Sequence, residues 1–202
     1  MSYFNSMTYE ERRKLVEQLI LLYGVLRKSE YRMKVTITGI TPVVHKFFTK
    51  HSNYSSWKIF TSPKSLLESY PTPSSLVYLT PDSPNVLQEI KDDDIYVIGG
   101  YVDLPPCPNV SLLKAEKQGL RHARLPIPEH FKFHTGYTDL KINEVFAILK
   151  CIKEGLSWEN ALLRYPPIIP KPKKSKHHTS PQPPLPSPST PTLSHILNQH
   201  PN

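Results

Sequence analysis

Two unbroken apolar runs constrain this chain most. Leu76 to Leu79 reads LVYL, and Ile95 to Ile98 reads IYVI. Neither alternates polar with apolar residues, so a strand built from either must be covered on both faces. Each is followed by residues that suit a helix, and strands alternating with helices build parallel sheets. The expected fold class is therefore α/β. Hydrophobic residues are 38% of the 202, enough for one such domain but not for a core along the whole chain. The shortfall lies at the C-terminus. Eleven of the 22 prolines fall in residues 166–202, and no acidic residue follows Glu159. Proline removes backbone donors and the stretch is poor in apolar residues. Residues 166–202 are therefore expected to form a disordered Pro/Lys-rich tail behind a domain of residues 1–165.

The other elements follow from periodicity and caps. Thr8 and Glu11 have capping-box spacing ahead of Leu15, Leu19, Leu22 and Leu26, which predicts a first helix. KVTITG (34–39) alternates and is rich in β-branched residues, so it reads as a strand. Residues 42–57 carry no clear pattern. A short strand is expected at 58–61, and a short helix from Pro63 toward Tyr70. Ser83 and Pro84 resemble an N-cap and first helical position, which predicts a helix to about Ile90. Further helices are expected over 111–118, stopped by Gly119, over 143–153, stopped by Gly155, and from Ser157 to Tyr165. His122 to Leu125 reads as a short strand ended by Pro126.

Several function classes are excluded. No apolar run approaches the roughly 20 residues of a membrane span. The opening MSYFNSMTYEERRK lacks the apolar core of a signal peptide. Two cysteines, Cys107 and Cys151, fit a reducing, intracellular compartment rather than a disulfide scaffold. The histidines, including His122, His130 and His134, do not form a paired ligand motif, so no metal is expected. No glycine-rich phosphate loop is present. The net charge of +8 gathers in three groups, near Arg12 to Lys34, near Lys114 to Arg124, and in the tail. Three basic groups in one chain point to a polyanion, most simply a nucleic acid, with Arg27, Lys28, Lys117 and Arg121 as candidate contacts. PxxP spacings at Pro181–Pro184 and Pro183–Pro186 fit aromatic-groove domains, or else a plain linker. Asp103 lies just past the carboxyl end of a buried strand, after Gly99 and Gly100, where α/β sheets bind ligands. A turn aspartate bonded to its own loop would read the same way.

Several motifs then occur in one order. YLTPDSPNVL (78–87), YVIGGYVD (96–103), LPI (125–127), NEVFAIL (143–149) and SWENAL (157–162) together resemble the tRNA position-9 purine N1-methyltransferase family of the SPOUT superfamily. The resemblance is strong over 76–165, fair over 7–40 and absent in the tail. It implies a SPOUT-type parallel sheet with a C-terminal trefoil knot that holds S-adenosylmethionine, in a monomeric catalytic domain. It implies Asp103 as general base on the N1 proton of guanine. It also implies that Leu79, Thr80, Gly99, Gly100, Val102, Asp103, Leu125, Leu140, Lys141 and Asn143 bind the cofactor.

The Leu125 to Trp158 spacing and SLLKAEKQGL (111–120) look like a mitochondrial branch. That branch works with a dehydrogenase-fold protein and a metallonuclease in a protein-only RNase P. A mitochondrial location is expected on that ground, and otherwise nucleus or cytoplasm. Departures from the family pattern also stand out. Only six residues precede Met7, so the family's first strand and basic extension are missing. The usual Asn-Arg pair is Leu26-Arg27, and the loop after Asp103 is Leu104-Pro105-Pro106-Cys107. They suggest an N-terminally truncated product or an incomplete gene model, and they keep a non-catalytic tRNA-binding or scaffold subunit open beside the enzyme. An interaction protein working through the proline tail is a third class.

Overall fold

The computed structural model describes residues 3–31, 33–130 and 140–166. They belong to the first of two compact units, residues 1–170, the second being 171–202. The expected tail lies outside the described residues, except for Pro166. So do His134 and the PxxP spacings.

The capping box forms as the spacing requires. Thr8 accepts from the Glu11 N–H at 3.3 Å, and Glu11 accepts from the Thr8 N–H at 2.7 Å. Helix α1 then runs Tyr9–Arg27 and buries Leu15, Val16, Leu19 and Leu22. Strand β1 is Thr36–Thr38 and β2 is Phe60–Ser62, paired in parallel. Between them residues 42–57, unpatterned in sequence, contain helix α2, Pro42–His51, capped by Thr41 with proline in its first turn. A 3₁₀ turn follows at Tyr54–Ser56. Helix α3 is Leu66–Ser69, with a second capping box from Ser65 and Glu68.

Strands β3, Leu76–Leu79, β4, Ile95–Ile98, and β5, Arg121–Ala123, make a parallel sheet of order β4-β3-β5. Helix α4 is Val110–Lys117, α5 Ile127–His130, α6 Ile142–Lys153 and α7 Trp158–Arg164. Gly119 and Gly155 follow α4 and α6 with φ of 64° and 92°, conformations in which a side chain is strained.

The architecture is α/β with parallel strands, but the strands form two sheets rather than one. All four residues of β3 are buried, as a central strand requires. β4 is only half-buried. Among the described residues nothing pairs with its outer edge or with the outer edge of β1. A groove of about 540 Å³ is lined by both strands.

The helix expected from Ser83 to Ile90 is not there. The Ser83 hydroxyl bonds His122 Nδ1 at 2.9 Å and receives the Asn85 N–H at 3.1 Å, which makes a turn rather than a cap. Asn85 to Leu87 then extends the sheet ladder: Arg124 N–H donates to Asn85 O, and Leu87 N–H to Arg124 O, both at 2.8 Å. Pro84 has no N–H to offer, and that ladder asks for none. The indole N–H of Trp158 on α7 holds the next stretch by donating to Gln88 O at 2.8 Å.

Four carboxyls lie below their ordinary value of 4.5, each mainly through a hydrogen bond. Glu11 is held by the Thr8 and Leu104 N–H groups, Glu68 by Ser65, Glu129 by Arg124 and Glu154 by Lys150. Each loses its proton more readily folded than unfolded. Its stabilisation is therefore present above the unfolded value and lost as pH falls through the folded one. Urea midpoints should hold from pH 7 to 5 and drop below about pH 4.5. An unchanged midpoint at pH 3 would show these bonds contribute nothing.

Candidate functional site

The register of the parallel sheet brings three chain exits together. Leu79 pairs with Ile98 and with Ala123, so β3, β4 and β5 end side by side. The segments leaving them, 80–82, 99–104 and 124–127, share one rim. The turn into α6 joins them. These walls enclose a cleft of about 690 Å³, within the range of about 300–1,000 Å³ usual for small-molecule sites.

Eight of the ten candidate cofactor residues line this cleft: Leu79, Thr80, Gly99, Val102, Asp103, Leu125, Leu140 and Lys141. Gly100 lies along the groove of the other side instead. Asn143 lies between the lining residues Ile142 and Glu144, and its buried Oδ1 has no hydrogen-bond partner among the described residues. Asp103 is half-buried, and its Oδ2 accepts the N–H of Cys107, closing its own loop. Asp103 thus both lines the cleft and closes its own loop.

Gly99 sits where an added side chain would be crowded. A Cβ there would stand 2.9 Å from the Tyr78 hydroxyl and 3.4 Å from Ser111 Oγ. Tyr78 is buried, and burial, then the neighbouring Tyr3, pushes its phenol well above the usual value, so it stays neutral. Gly99→Ala should cost about 1–3 kcal/mol through overpacking. A melting temperature equal to that of the parent would disprove the close approach.

Helix α1 contributes three residues that sequence reasoning did not assign to the site. Lys14 and Gln18 line the cleft. Gln18 Oε1 accepts the N–H of Ile142, the first residue of α6, at 2.9 Å. Glu11 Oε1 accepts the N–H of Leu104, just past Asp103, at 2.8 Å. The seven-residue spacing of Glu11 and Gln18, with Lys14 between, places all three on one helix face.

The basic groups fare unevenly. Arg27, Lys28 and Lys117 are exposed. Arg121 is engaged by both carboxylate oxygens of Asp94. Arg124 is held by Glu129 at 2.8 and 2.7 Å. The second basic group therefore offers less charge to a polyanion than its composition suggests. Among the described residues no three His, Cys, Asp or Glu side chains are placed to hold a metal ion, and no helix is long and apolar enough to cross a membrane.

Residues 1–174 match the family described as tRNA (guanine(9)-N(1))-methyltransferase TRM10/TRM10A. The chain belongs to this family. Human tRNA methyltransferase 10 homolog C is 30% identical over 166 residues, which are 80% of this chain and 41% of that protein. Homolog B of Bos taurus is 30% identical over 172 residues, 80% of this chain and 54% of that protein. The chain thus spans about half the length of these TRM10 relatives, and B and C resemble it equally. The crystal structure of the full-length spTrm10–SAH complex superposes with a TM-score of 0.72 at 29% identity, over 82% of this chain and 91% of that one. A Trm10 structure from Thermococcus kodakaraensis has the same fold, with a TM-score of 0.64 at 21% identity, over 81% of this chain and 94% of that one.

Proposed function

We propose that this chain is the catalytic domain of an S-adenosylmethionine-dependent methyltransferase acting on N1 of the purine at tRNA position 9, guanine first, with adenine as the open second acceptor. The observation that carries the reading is Asp103 on the wall of a cleft built from three strand ends. The spTrm10–SAH complex supports the cofactor assignment, SAH being what remains of S-adenosylmethionine after transfer. The residues fit such a group. Gly99 lines the cleft with no side chain, Leu79, Leu125 and Leu140 supply apolar walls, and Asn143 Oδ1 is a buried acceptor lacking a donor among the described residues.

S-adenosylmethionine supplies a methyl group on an electrophilic sulfonium. Guanine N1 carries a proton at neutral pH, so its lone pair must be freed before it can accept that methyl. Asp103 would take the proton, and the electron pair left on N1 would form the new N1–carbon bond as the methyl carbon–sulfur bond breaks, its pair leaving on sulfur as the thioether SAH. Adenine N1 already has its lone pair and needs the carboxylate less. Fixed walls around both reactants supply orientation. Arg27, Lys28 and Lys117, all exposed, serve the phosphate backbone; Arg121 does so only if it leaves Asp94. The trefoil knot belongs to the same reading, supported by the way segments 99–104, 124–127 and 140–145 converge on one cleft. So does a monomeric domain.

A non-catalytic tRNA-binding or scaffold subunit is the second reading. It is favoured by the bond from Asp103 to its own loop. Titration of the purified chain with S-adenosylmethionine by calorimetry, then mass spectrometry of tRNA transcripts with G or A at position 9, separates the two. Saturable binding with N1-methylguanine formation supports the enzyme. Tight tRNA binding by a folded chain that takes no cofactor supports the scaffold. Assembly with a dehydrogenase-fold protein and a metallonuclease, in mitochondria, rests on the 111–120 motif and the Leu125–Trp158 spacing. Co-purification from mitochondria rather than from nucleus or cytoplasm is its test.

A further inference from the structure

The start of α1, from Met7 to Glu11, makes two contacts that capping does not require. A capping box needs only one Glu11 oxygen, and Oε2 accepts the Thr8 N–H at 2.7 Å. The other oxygen reaches 93 residues along the chain to the Leu104 N–H, at 2.8 Å. Just before the helix, Met7 Sδ lies 3.4 Å from the nitrogen of Val102 and accepts its N–H. Residues 102 and 104 flank Asp103. The peptide N–H groups of the residues on both sides of Asp103 are therefore held from the start of α1, one by Glu11 in its first turn and one by Met7 just before its cap. Glu11 and Met7 are 8% and 3% exposed, so water competes poorly for either contact. Asp103 Oδ2 meanwhile accepts the Cys107 N–H, and Oδ1 has no hydrogen bond among the described residues. The backbone under Asp103 is thus pinned at two points, and among the described residues one carboxylate oxygen has no partner.

We infer that Glu11, aided by Met7, is a positioning residue that fixes the backbone from which Asp103 meets the N1 proton. The kinetic side of this inference rests on the methyltransferase reading; its structural side does not. The Thr8 and Leu104 N–H groups also keep the Glu11 carboxyl below its usual range, so it remains an anionic acceptor at neutral pH.

Four variants of the whole chain test it. Glu11→Ala removes both acceptor oxygens. Glu11→Gln keeps one carbonyl acceptor at the same reach. Thr8→Ala removes the side-chain cap but leaves the Leu104 contact. Met7→Leu removes only the sulfur acceptor at nearly constant volume. The readouts are amide hydrogen exchange at Val102 and Leu104, melting temperature, and kcat and KM for S-adenosylmethionine on a guanine-9 tRNA transcript. Glu11→Ala should speed Leu104 exchange about tenfold or more and lower kcat about tenfold, with KM nearly unchanged. Glu11→Gln should restore most of kcat. Thr8→Ala should lower the melting temperature and keep kcat. Met7→Leu should speed Val102 exchange, which keeps the test open if Glu11→Ala fails to fold. Unchanged exchange at Leu104 in Glu11→Ala, or at Val102 in Met7→Leu, overturns the inference. So does a Thr8→Ala enzyme as slow as Glu11→Ala, since the helix cap alone would then explain the loss. A parent chain that methylates nothing defeats the methyltransferase reading by itself, and the exchange results still decide the clamp.

Discussion

Asp103→Asn should slow guanine N1 methylation about 10²–10⁴-fold, the range for losing a general base, and leave affinity for S-adenosylmethionine nearly unchanged. The substitution is informative because the side chain has two jobs. Its Oδ2 closes the 103–107 loop by accepting the Cys107 N–H. An Asn carbonyl oxygen can still accept that N–H, so the loop stays closed while the base is lost. Asp103→Ala loses both, and should add a weaker cofactor affinity to the slow rate because the loop lines the cleft. Adenine methylation should suffer less than guanine in Asp103→Asn, since its N1 has no proton to remove. Single-turnover rates on guanine-9 and adenine-9 transcripts, beside calorimetric cofactor titration, give all three numbers. Loss of cofactor binding equal to the loss of rate would make Asp103 a structural residue only.

Where chemistry is local, the residues announced it. Thr8 with Glu11 specifies a helix start by two short-range bonds, and the box forms as spaced. LVYL must be covered on both faces, and all four residues are buried. Asp103 was legible as a candidate, because parallel strands present their carboxyl ends to ligands, and it does line the cleft there. What was not legible depended on partners far away. Ser83-Pro84 fits a helix start and a turn equally well. A ladder from Asn85 and Leu87 to Arg124, 39 and 37 residues on, decides for the turn. IYVI reads like LVYL, yet among the described residues it is an edge strand and only half-buried, a difference set by its place in the sheet rather than by its own residues. Glu11, Lys14 and Gln18 look like one solvated helix stripe. Their targets, Leu104 and Ile142, lie 93 and 124 residues away, and no periodicity carries that information.

Helix α2 is the clearest case of a hidden element, and truncating its core residue should give the largest loss of stability. Thr41-Pro42 is a sound N-cap and first position, but Val43-Val44 and Phe47-Phe48 are apolar doublets that blur the helical period. Packing resolves each doublet: Val44 and Phe48, four apart, are buried, while Val43 is exposed. Phe48 is 1% exposed and meets Phe4 and Tyr54 edge-on, with ring centroids 6.2 and 5.4 Å apart. A hydrogen bond between the Tyr54 hydroxyl and the His45 ring ties the following turn back to the same helix, so the pocket cannot collapse freely. Phe48→Ala should therefore cost about 3–5 kcal/mol. In a chain of this size that is a fall of about 6–20 °C in melting temperature. Phe48 lines neither the cleft nor the 540 Å³ groove. The folded fraction below the transition should then keep its affinity for S-adenosylmethionine. A variant that melts like the parent would mean α2 does not pack where the structure puts it. One that stays folded but loses cofactor binding would mean that α2 and the cleft are coupled through α1, whose buried residues share the Phe48 core.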